Sequence, residues 1–147
     1  MDKTSIKAKK KARKFAMQAM YQWNLSGTSL LGIENQFLAA NNMEKVDVDY
    51  FKRLLHDIPK QLAELEQAII PFLDRDIDAL NPVELAVLRI GAFELLYCLD
   101  IPYRVVLDEA ITLSKAFGSQ DAHRYVNGVL HNVAKTARKD EMDEHNQ

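Results

Sequence analysis

The chain has 147 residues, of which 48% are hydrophobic and 27% are charged. This balance is typical of a globular protein, and the length is sufficient to bury a hydrophobic core in one domain spanning residues 1–147. No uncharged apolar run approaches the roughly 18 residues of a membrane span, and no apolar segment follows the basic N-terminus as in a signal peptide. The one cysteine, Cys98, excludes an internal disulfide and favours a cytoplasmic protein.

Charge is distributed unevenly along the chain. The formal net charge is -2, yet residues 1–26 contain seven lysines and arginines against a single acidic residue, Asp2. The remaining chain is therefore acidic. A basic end on an acidic body predicts a polyanionic partner that is bound by that end.

Apolar residues recur at spacings of three and four, and no stretch alternates with a period of two, which predicts an all-α fold of about seven helices. We expect a first helix over residues 6–25 and a second after Ser29. A third should be capped by Asp47 or Asp49, and a fourth should contain Pro59 in its first turn. A short helical turn is expected over residues 74–80.

The clearest helix start is the segment 81–84, Asn-Pro-Val-Glu. Asn81 can cap, proline suits the first helical position, and Glu84 can reach back to the cap amide. The following helix is apolar nearly all round, which predicts a position in the centre of a bundle, and Gly91 would admit a close neighbour.

Two more helices complete the pattern. One opens at Pro102 and ends at Gly118, and the last is capped by Ser119 and extends to about residue 138. Residues 1–5 and 140–147 are expected to be disordered.

The first helix separates into two faces when its residues are placed on a helical wheel. The apolar face consists of Ala12, Phe15, Ala16, Ala19, Met20 and Trp23. The opposite face carries Lys7, Lys10, Lys11, Lys14, Gln18 and Tyr21. Lysines neutralise phosphates and tyrosine stacks on bases, so this face is a candidate RNA-binding surface. The alternatives are a merely solvated face or an anionic membrane surface, which is disfavoured because the core needs Phe15 and Trp23.

Two residues of the last helix have open interpretations. Gly128 interrupts an apolar helical run at a cost of about 1 kcal/mol relative to alanine, so either tight helix packing or close approach of a ligand should explain it. Asp121 lies near the start of that helix. It can interact with the helix dipole or accept hydrogen bonds from base edges.

No catalytic pattern is found. His123 and His131 are eight residues apart and unsuited to one metal, and His56 and His145 have no nearby Cys or His partner. There is no glycine-rich phosphate loop, nucleophile elbow or paired-carboxylate motif. We expect no enzymatic activity, no cofactor and no metal.

Four segments, residues 10–23, 82–90, 102–118 and 125–130, resemble the NusB family of bacterial transcription antitermination factors. The resemblance spans residues 6 to about 138 in the family's order. It implies two small three-helix bundles packed together and a protein partner, the small-subunit ribosomal protein NusE. It also implies binding to the boxA element of nascent ribosomal RNA, as a single strand, within an RNA polymerase complex that suppresses termination.

The resemblance assigns roles to matching positions. RNA contacts are implied for Lys9, Lys10, Lys11, Arg13, Gln18, Tyr21, Asp121 and Tyr125, beside Lys7 and Lys14 from the wheel. Glu84 matches a position that meets the protein partner. Many family members have arginine where this chain has lysine at 9–11, and lysine lacks the bidentate fork of arginine.

Two other functions are alternatives to an RNA-binding adapter. NusB-like domains also occur fused to RNA methyltransferases, and the chain length after Gly118 disfavours that reading. A protein-interaction module whose lysines only confer solubility is the remaining alternative. Changing Lys10, Lys11 and Arg13 to glutamate should separate it from an RNA-binding adapter.

Overall fold

The computed structural model describes residues 2–145 and shows no β-strand among them. The chain divides between Gln61 and Leu62 into two units. The first contains α1 (Lys3–Ser26), α2 (Leu30–Ala40) and α3 (Val48–Lys60). The second contains α4 (Leu62–Ile69), α5 (Pro82–Tyr97), α6 (Tyr103–Phe117), α7 (Ala122–Ala137) and α8 (Lys139–His145). The all-α prediction is confirmed, with eight α-helices in the described part of the chain. None of the described helices is long and apolar enough to cross a membrane.

The first unit is a three-helix bundle in which α1 packs against α3 and α2. Three alanines of α1 are fully buried, and small side chains allow two helices to approach closely. Phe51 and Leu54 of α3 are also fully buried. The buried face of α1 consists of Ala12, Arg13, Ala16, Met17, Ala19 and Met20.

Local capping sets the ends of α1. The Asp2 side chain accepts a hydrogen bond from the Ser5 N–H at 2.8 Å, and Gly27 adopts a left-handed φ of 68° at the C-terminus. Residues 3–5 are therefore helical, contrary to the disorder expected there, because the Asp2 cap extends the helix. Met1 lies outside the described residues.

Asp47 caps α3, as one of the two predicted alternatives, by accepting a hydrogen bond from the Tyr50 N–H at 3.0 Å. The placement of Pro59 in the first turn of the next helix is wrong, because Pro59 lies inside α3. The chain leaves that helix at Gln61, whose N–H reaches the carbonyls of Asp57, Ile58 and Pro59. A new helix then begins at Leu62.

In the second unit α5 is the central helix, with α4, α6 and α7 packed around it. Every residue from Glu84 to Leu95 is buried, as the all-round apolar pattern predicts. Gly91 faces α7, where a Cβ atom would lie 2.5 Å from Cδ1 of Leu130. The close approach predicted at Gly91 is thus confirmed. The turn predicted over residues 74–80 is a short 3-10 helix, Ile77–Ala79.

The C-terminal segment is anchored by the buried guanidinium of Arg138. Its hydrogen bonds run to the carbonyls of Glu94, Leu95, Cys98 and Ile101 at 2.8–3.1 Å, and to Glu141 at 2.6 Å. The other oxygen of Glu141 accepts a hydrogen bond from the Tyr103 N–H. Residues 140–145 are consequently helical, contrary to the disorder expected there, and 146–147 lie outside the described residues.

Candidate nucleic-acid interface

The basic stripe of α1, which we define as Lys7, Lys10, Lys11 and Lys14, is exposed along its length. These residues recur at spacings of three and four, so their ammonium groups share one face of the helix. Among the described residues, Lys7, Lys11 and Lys14 make no ion pair. The charge of these three lysines is therefore available to an external anion.

Two other predicted residues continue this surface towards the C-terminal end of α1. Tyr21 is exposed to 38% and Gln18 is half-buried. They follow Lys14 at spacings of four and three, which keeps the amide and the phenol in line with the stripe. The structure thus brings cations, one amide and one aromatic ring onto a single face.

Arg13 and Lys9 differ from the other predicted residues because both are engaged by Tyr50 of α3. The Arg13 side chain is only 4% exposed, and its guanidinium lies 5.7 Å from the Tyr50 ring centroid. The Lys9 ammonium lies 5.0 Å from the same centroid, and Lys9 is half-buried. Arg13, for which the resemblance implies an RNA contact, is thus held within the bundle, where a cation over an aromatic ring is stabilised.

The buried face of α1 extends beyond the apolar face of the wheel and includes Arg13 and Met17. Phe15 and Trp23 were expected to face the core, but both are half-buried, and Met17 is buried in their place. Phe15 contacts Phe37 of α2 edge-on, with ring centroids 6.2 Å apart. Apolarity alone could not place the centre of the buried face, because the partner helices decide it.

In the second unit, the predicted residues Asp121 and Tyr125 lie at the start of α7. Asp121 is exposed and occupies the N-cap position, although its side chain makes no capping hydrogen bond. Ser119 was predicted to cap this helix, but residues 119–121 instead form a turn in which the Ser119 carbonyl accepts from the Ala122 N–H. Asp121 is therefore an exposed residue whose carboxylate does not cap α7.

Tyr125 is half-buried and belongs to a small cluster with Asp74 and Arg75. The Arg75 guanidinium lies 4.8 Å from the Tyr125 ring centroid, and the Tyr125 hydroxyl accepts a hydrogen bond from the Asp74 N–H at 3.4 Å. Arg75 also donates two hydrogen bonds to the Asp74 carboxylate, at 2.6 and 3.1 Å. One face of the tyrosine is thus covered by a planar cation.

Electrostatics within this cluster favour the charged forms of Asp74 and Arg75. The hydrogen bond from Arg75 holds the pKa of Asp74 below its usual value of 3.8. The same contact raises the pKa of Arg75. Desolvation raises the pKa of Tyr125, so its hydroxyl stays protonated at neutral pH.

Glu84, the predicted partner-binding residue, lies in the first turn of α5 and is 8% exposed. Asn81 caps this helix as predicted, accepting a hydrogen bond from the Val83 N–H at 2.9 Å. Within the described part of the chain, however, Oε2 of Glu84 is buried without a hydrogen-bond partner. A buried carboxylate oxygen in that state is costly, and a donor from a partner would relieve the cost.

Tyr50 and Arg75 are members of these clusters that the sequence patterns did not single out. Each lies outside the helix whose residue it contacts, so the spacing of residues within one helix could not predict the contact. Arg124, next to Tyr125, is an exposed cation that the sequence patterns also did not single out. Among the described residues, no group of three or more His, Cys, Asp or Glu side chains is placed to hold a metal ion.

Comparison with known proteins identifies the family. The NusB family model matches residues 10–135. A transcription antitermination protein NusB from Legionella pneumophila strain Corby is 58% identical over 142 residues, covering 97% of each chain. The protein of the same name from Acinetobacter baumannii strain AYE is 50% identical over 137 residues, covering 93% of this chain and 92% of that protein.

Solved structures give the same result at lower identity. A crystal structure of the antitermination factors NusB and NusE in complex with dsRNA matches with a TM-score of 0.78 and 28% identity, covering 86% of this chain and 95% of that chain. NusB from T. maritima matches with a TM-score of 0.77 and 26% identity, covering 91% of this chain and 96% of that chain.

Proposed function

Since this chain belongs to the NusB family, whose members are non-enzymatic transcription antitermination factors, we propose that it binds the boxA element of nascent ribosomal RNA together with NusE. It acts as an adapter in the RNA polymerase antitermination complex, in the cytoplasm, and residues 1–147 serve as one RNA-binding domain. The observation that carries the proposal is the exposed basic stripe of α1.

The RNA-binding residues fall into two groups with different roles. Lys7, Lys9, Lys10, Lys11 and Lys14 contact phosphates, which fixes the position of the strand without reading its sequence. Gln18, Tyr21, Asp121 and Tyr125 contact bases through hydrogen bonds or stacking. Arg13 acts indirectly, because its packing on Tyr50 holds α1 in place.

A triple substitution of the stripe tests the RNA-binding proposal. Lys10, Lys11 and Lys14 are changed together to glutamine, which removes three cations from an exposed face. Arg13 is left intact, since changing a buried residue would disturb the fold. We expect affinity for a boxA single strand to fall about tenfold or more at low salt, as phosphate contacts are lost.

The matched control removes the same charge elsewhere: Lys52, Lys60 and Lys115, all exposed, are changed to glutamine. It should retain RNA affinity. Equal losses in the two triple variants would contradict a specific site on α1. Unchanged RNA binding in both would favour a protein-interaction module with solubilising lysines. The same binding measurements are made with a boxA duplex as well as with the single strand, because the related NusB–NusE crystal structure contains dsRNA.

Glu84 is proposed to contact NusE. Its buried, unpartnered Oε2 supports this role, since a donor on the ribosomal protein would complete its hydrogen bonding. Glu84→Gln should weaken NusE binding measured by calorimetry and leave binding of RNA alone unchanged. A variant that binds NusE as the parent does would contradict the assignment.

A further inference from the structure

Gly128 lies in the middle of α7 and is exposed. Apart from its chain neighbours and the backbone of its own helix, no atom lies within 4 Å of where its Cβ would be. Gly91 is the opposite case, since a Cβ there would collide with Leu130. Packing within the fold therefore explains the glycine of α5 but does not explain the glycine of α7, which lowers helix stability relative to alanine.

The gap left by Gly128 continues the face that carries Asp121 and Tyr125. Successive spacings of four, three and four residues place Asp121, Tyr125, Gly128 and Asn132 on one stripe of α7. Tyr125 is the aromatic residue covered on one side by Arg75. Gly128 thus leaves the helix backbone open one turn away from the half-buried ring of Tyr125.

Two cations flank this passage. Arg124 precedes Gly128 by four residues, Lys135 follows by seven, and both are exposed. Within the described part of the chain neither makes an ion pair. No large hydrophobic residue of α7 is exposed. A surface with unpaired cations, an amide and no apolar side chain suits a phosphate backbone better than the apolar centre of a protein interface.

We propose that the sugar-phosphate backbone of a single-stranded RNA crosses α7 at Gly128, between Tyr125 and Asn132, with Arg124 and Lys135 contacting its phosphates. This rests on the proposed RNA-binding function and extends it along the helix. Because Gly128 has no side chain, the strand can lie closer to the helix backbone than it could at an alanine, by about the thickness of a methyl group. A base can then reach Tyr125 while its phosphate stays close to the cations.

Substitution of Gly128 separates binding from folding. Gly128→Ala and Gly128→Gln both introduce better helix formers at an open, exposed position, so each should raise the melting temperature. RNA affinity should fall about threefold for alanine and about tenfold or more for glutamine, whose side chain fills the passage. Opposite changes in stability and affinity would exclude misfolding as the cause.

Gly32 provides the matched control. It is exposed within α2, and no atom lies within 4 Å of its Cβ position either. Gly32→Ala should raise the melting temperature and leave RNA affinity unchanged. Arg124→Gln and Lys135→Gln should each reduce the slope of log affinity against log salt by about 0.7, whereas Lys60→Gln should not.

The outcomes distinguish this inference from the function on which it rests. If the parent protein binds no RNA, the proposed function fails. If the parent binds RNA and Gly128→Gln binds equally well, the passage at Gly128 is refuted alone. If Gly128→Gln loses NusE binding but retains its RNA affinity, the RNA passage at Gly128 is also refuted, because the surface would then belong to a protein partner.

Discussion

Arg138 shows how one buried residue can organise a chain terminus. Its guanidinium donates to four backbone carbonyls at the end of α5 and in the loop that follows, and to Glu141. The carbonyls of Glu94 and Cys98 also accept the backbone N–H groups of Cys98 and Ile101, so Arg138 is a second donor to them. For the carbonyls of Leu95 and Ile101, Arg138 supplies the kind of donor that the end of a helix lacks. Glu141 in turn accepts from the first N–H group of α6. Three helices thus depend on a single side chain.

Arg138→Met should destabilise the fold by about 3–5 kcal/mol, because it removes the side-chain donor from the buried carbonyls of Leu95 and Ile101 and the cation from the Glu141 carboxylate. Chemical denaturation followed by circular dichroism measures this change. The adjacent Lys139 serves as control, since its ion pair with Asp143 is exposed at 3.7 Å and Lys139→Gln should cost at most about 0.5 kcal/mol. A loss below about 1 kcal/mol for Arg138→Met would contradict this role.

The pair formed by Asp74 and Arg75 should make the stability of the protein depend on pH. The pKa of Asp74 is lowered in the folded state by its hydrogen bond from Arg75. A lowered pKa means that the pair stabilises the protein above the ordinary aspartate pKa of 3.8, and that this contribution is lost as pH falls through the lower folded value. The pair, and the cover it gives Tyr125, should therefore be complete at neutral pH.

Arg75→Gln should move the Asp74 pKa back towards 3.8, which carboxyl NMR titration can follow. Asp2 provides an internal reference, since its lowered pKa arises mainly from the Ser5 N–H and should not change. An unchanged Asp74 titration would mean that Arg75 is not the cause of its shift.

Between elements, the contact of α5 with α7 depends on Gly91. The position predicted for a Cβ atom lies 2.5 Å from Cδ1 and 3.3 Å from Cγ of Leu130, whose side chain is itself fully buried. The leucine has no solvent-exposed side towards which it could move. In packing this close, even a single added methyl group displaces its neighbours.

Gly91→Ala should therefore destabilise the protein by about 1–3 kcal/mol despite the better helix propensity of alanine. Gly32→Ala, in open space, should instead stabilise it by up to about 1 kcal/mol. A double variant with Leu130→Ala should lose less than the two single losses together, because removing the leucine relieves the clash. Additive losses in thermal denaturation would show that the two residues do not compete for space.

Across the whole molecule, charge is segregated along the sequence. Seven cations and one acidic residue lie within residues 1–26, while the protein as a whole has a net charge of -2. A polyanion is attracted to the basic stripe and repelled by the acidic remainder. Salt should weaken binding strongly although the net charge is small.

We expect the slope of log affinity against log salt to be roughly -3 to -4 for a boxA strand, from about four to six phosphate contacts at about 0.7 each. Titrations across ionic strength measure it. Addition of NusE should raise affinity for boxA more than for a scrambled strand of equal length, which carries the same charge. A slope near zero, or equal affinity for both strands with NusE present, would contradict the proposed adapter.

The sequence by itself determined the helical class, most helix ends and the basic stripe. These depend on local physics: apolar spacing, the Asp47 and Asn81 caps, and the stop at Gly118 act within a few residues of chain. The apolar character of α5 also predicted its central position, because a helix without a polar face can be stable only when surrounded. The family resemblance added the identity of the proposed partners.

The wheel correctly placed Ala12, Ala16, Ala19 and Met20 on the buried side of α1. Only the tertiary structure showed that this side also includes Met17 and Arg13, and that Arg13 packs on Tyr50. It likewise brought the guanidinium of Arg75 over the Tyr125 ring, and that of Arg138 within hydrogen-bonding distance of the Leu95 carbonyl near the end of α5. It also left Gly128 without a packing neighbour. Each of these facts involves residues distant in sequence, whose contacts depend on how helices dock. Periodicity describes one helix at a time and therefore contains no information about them.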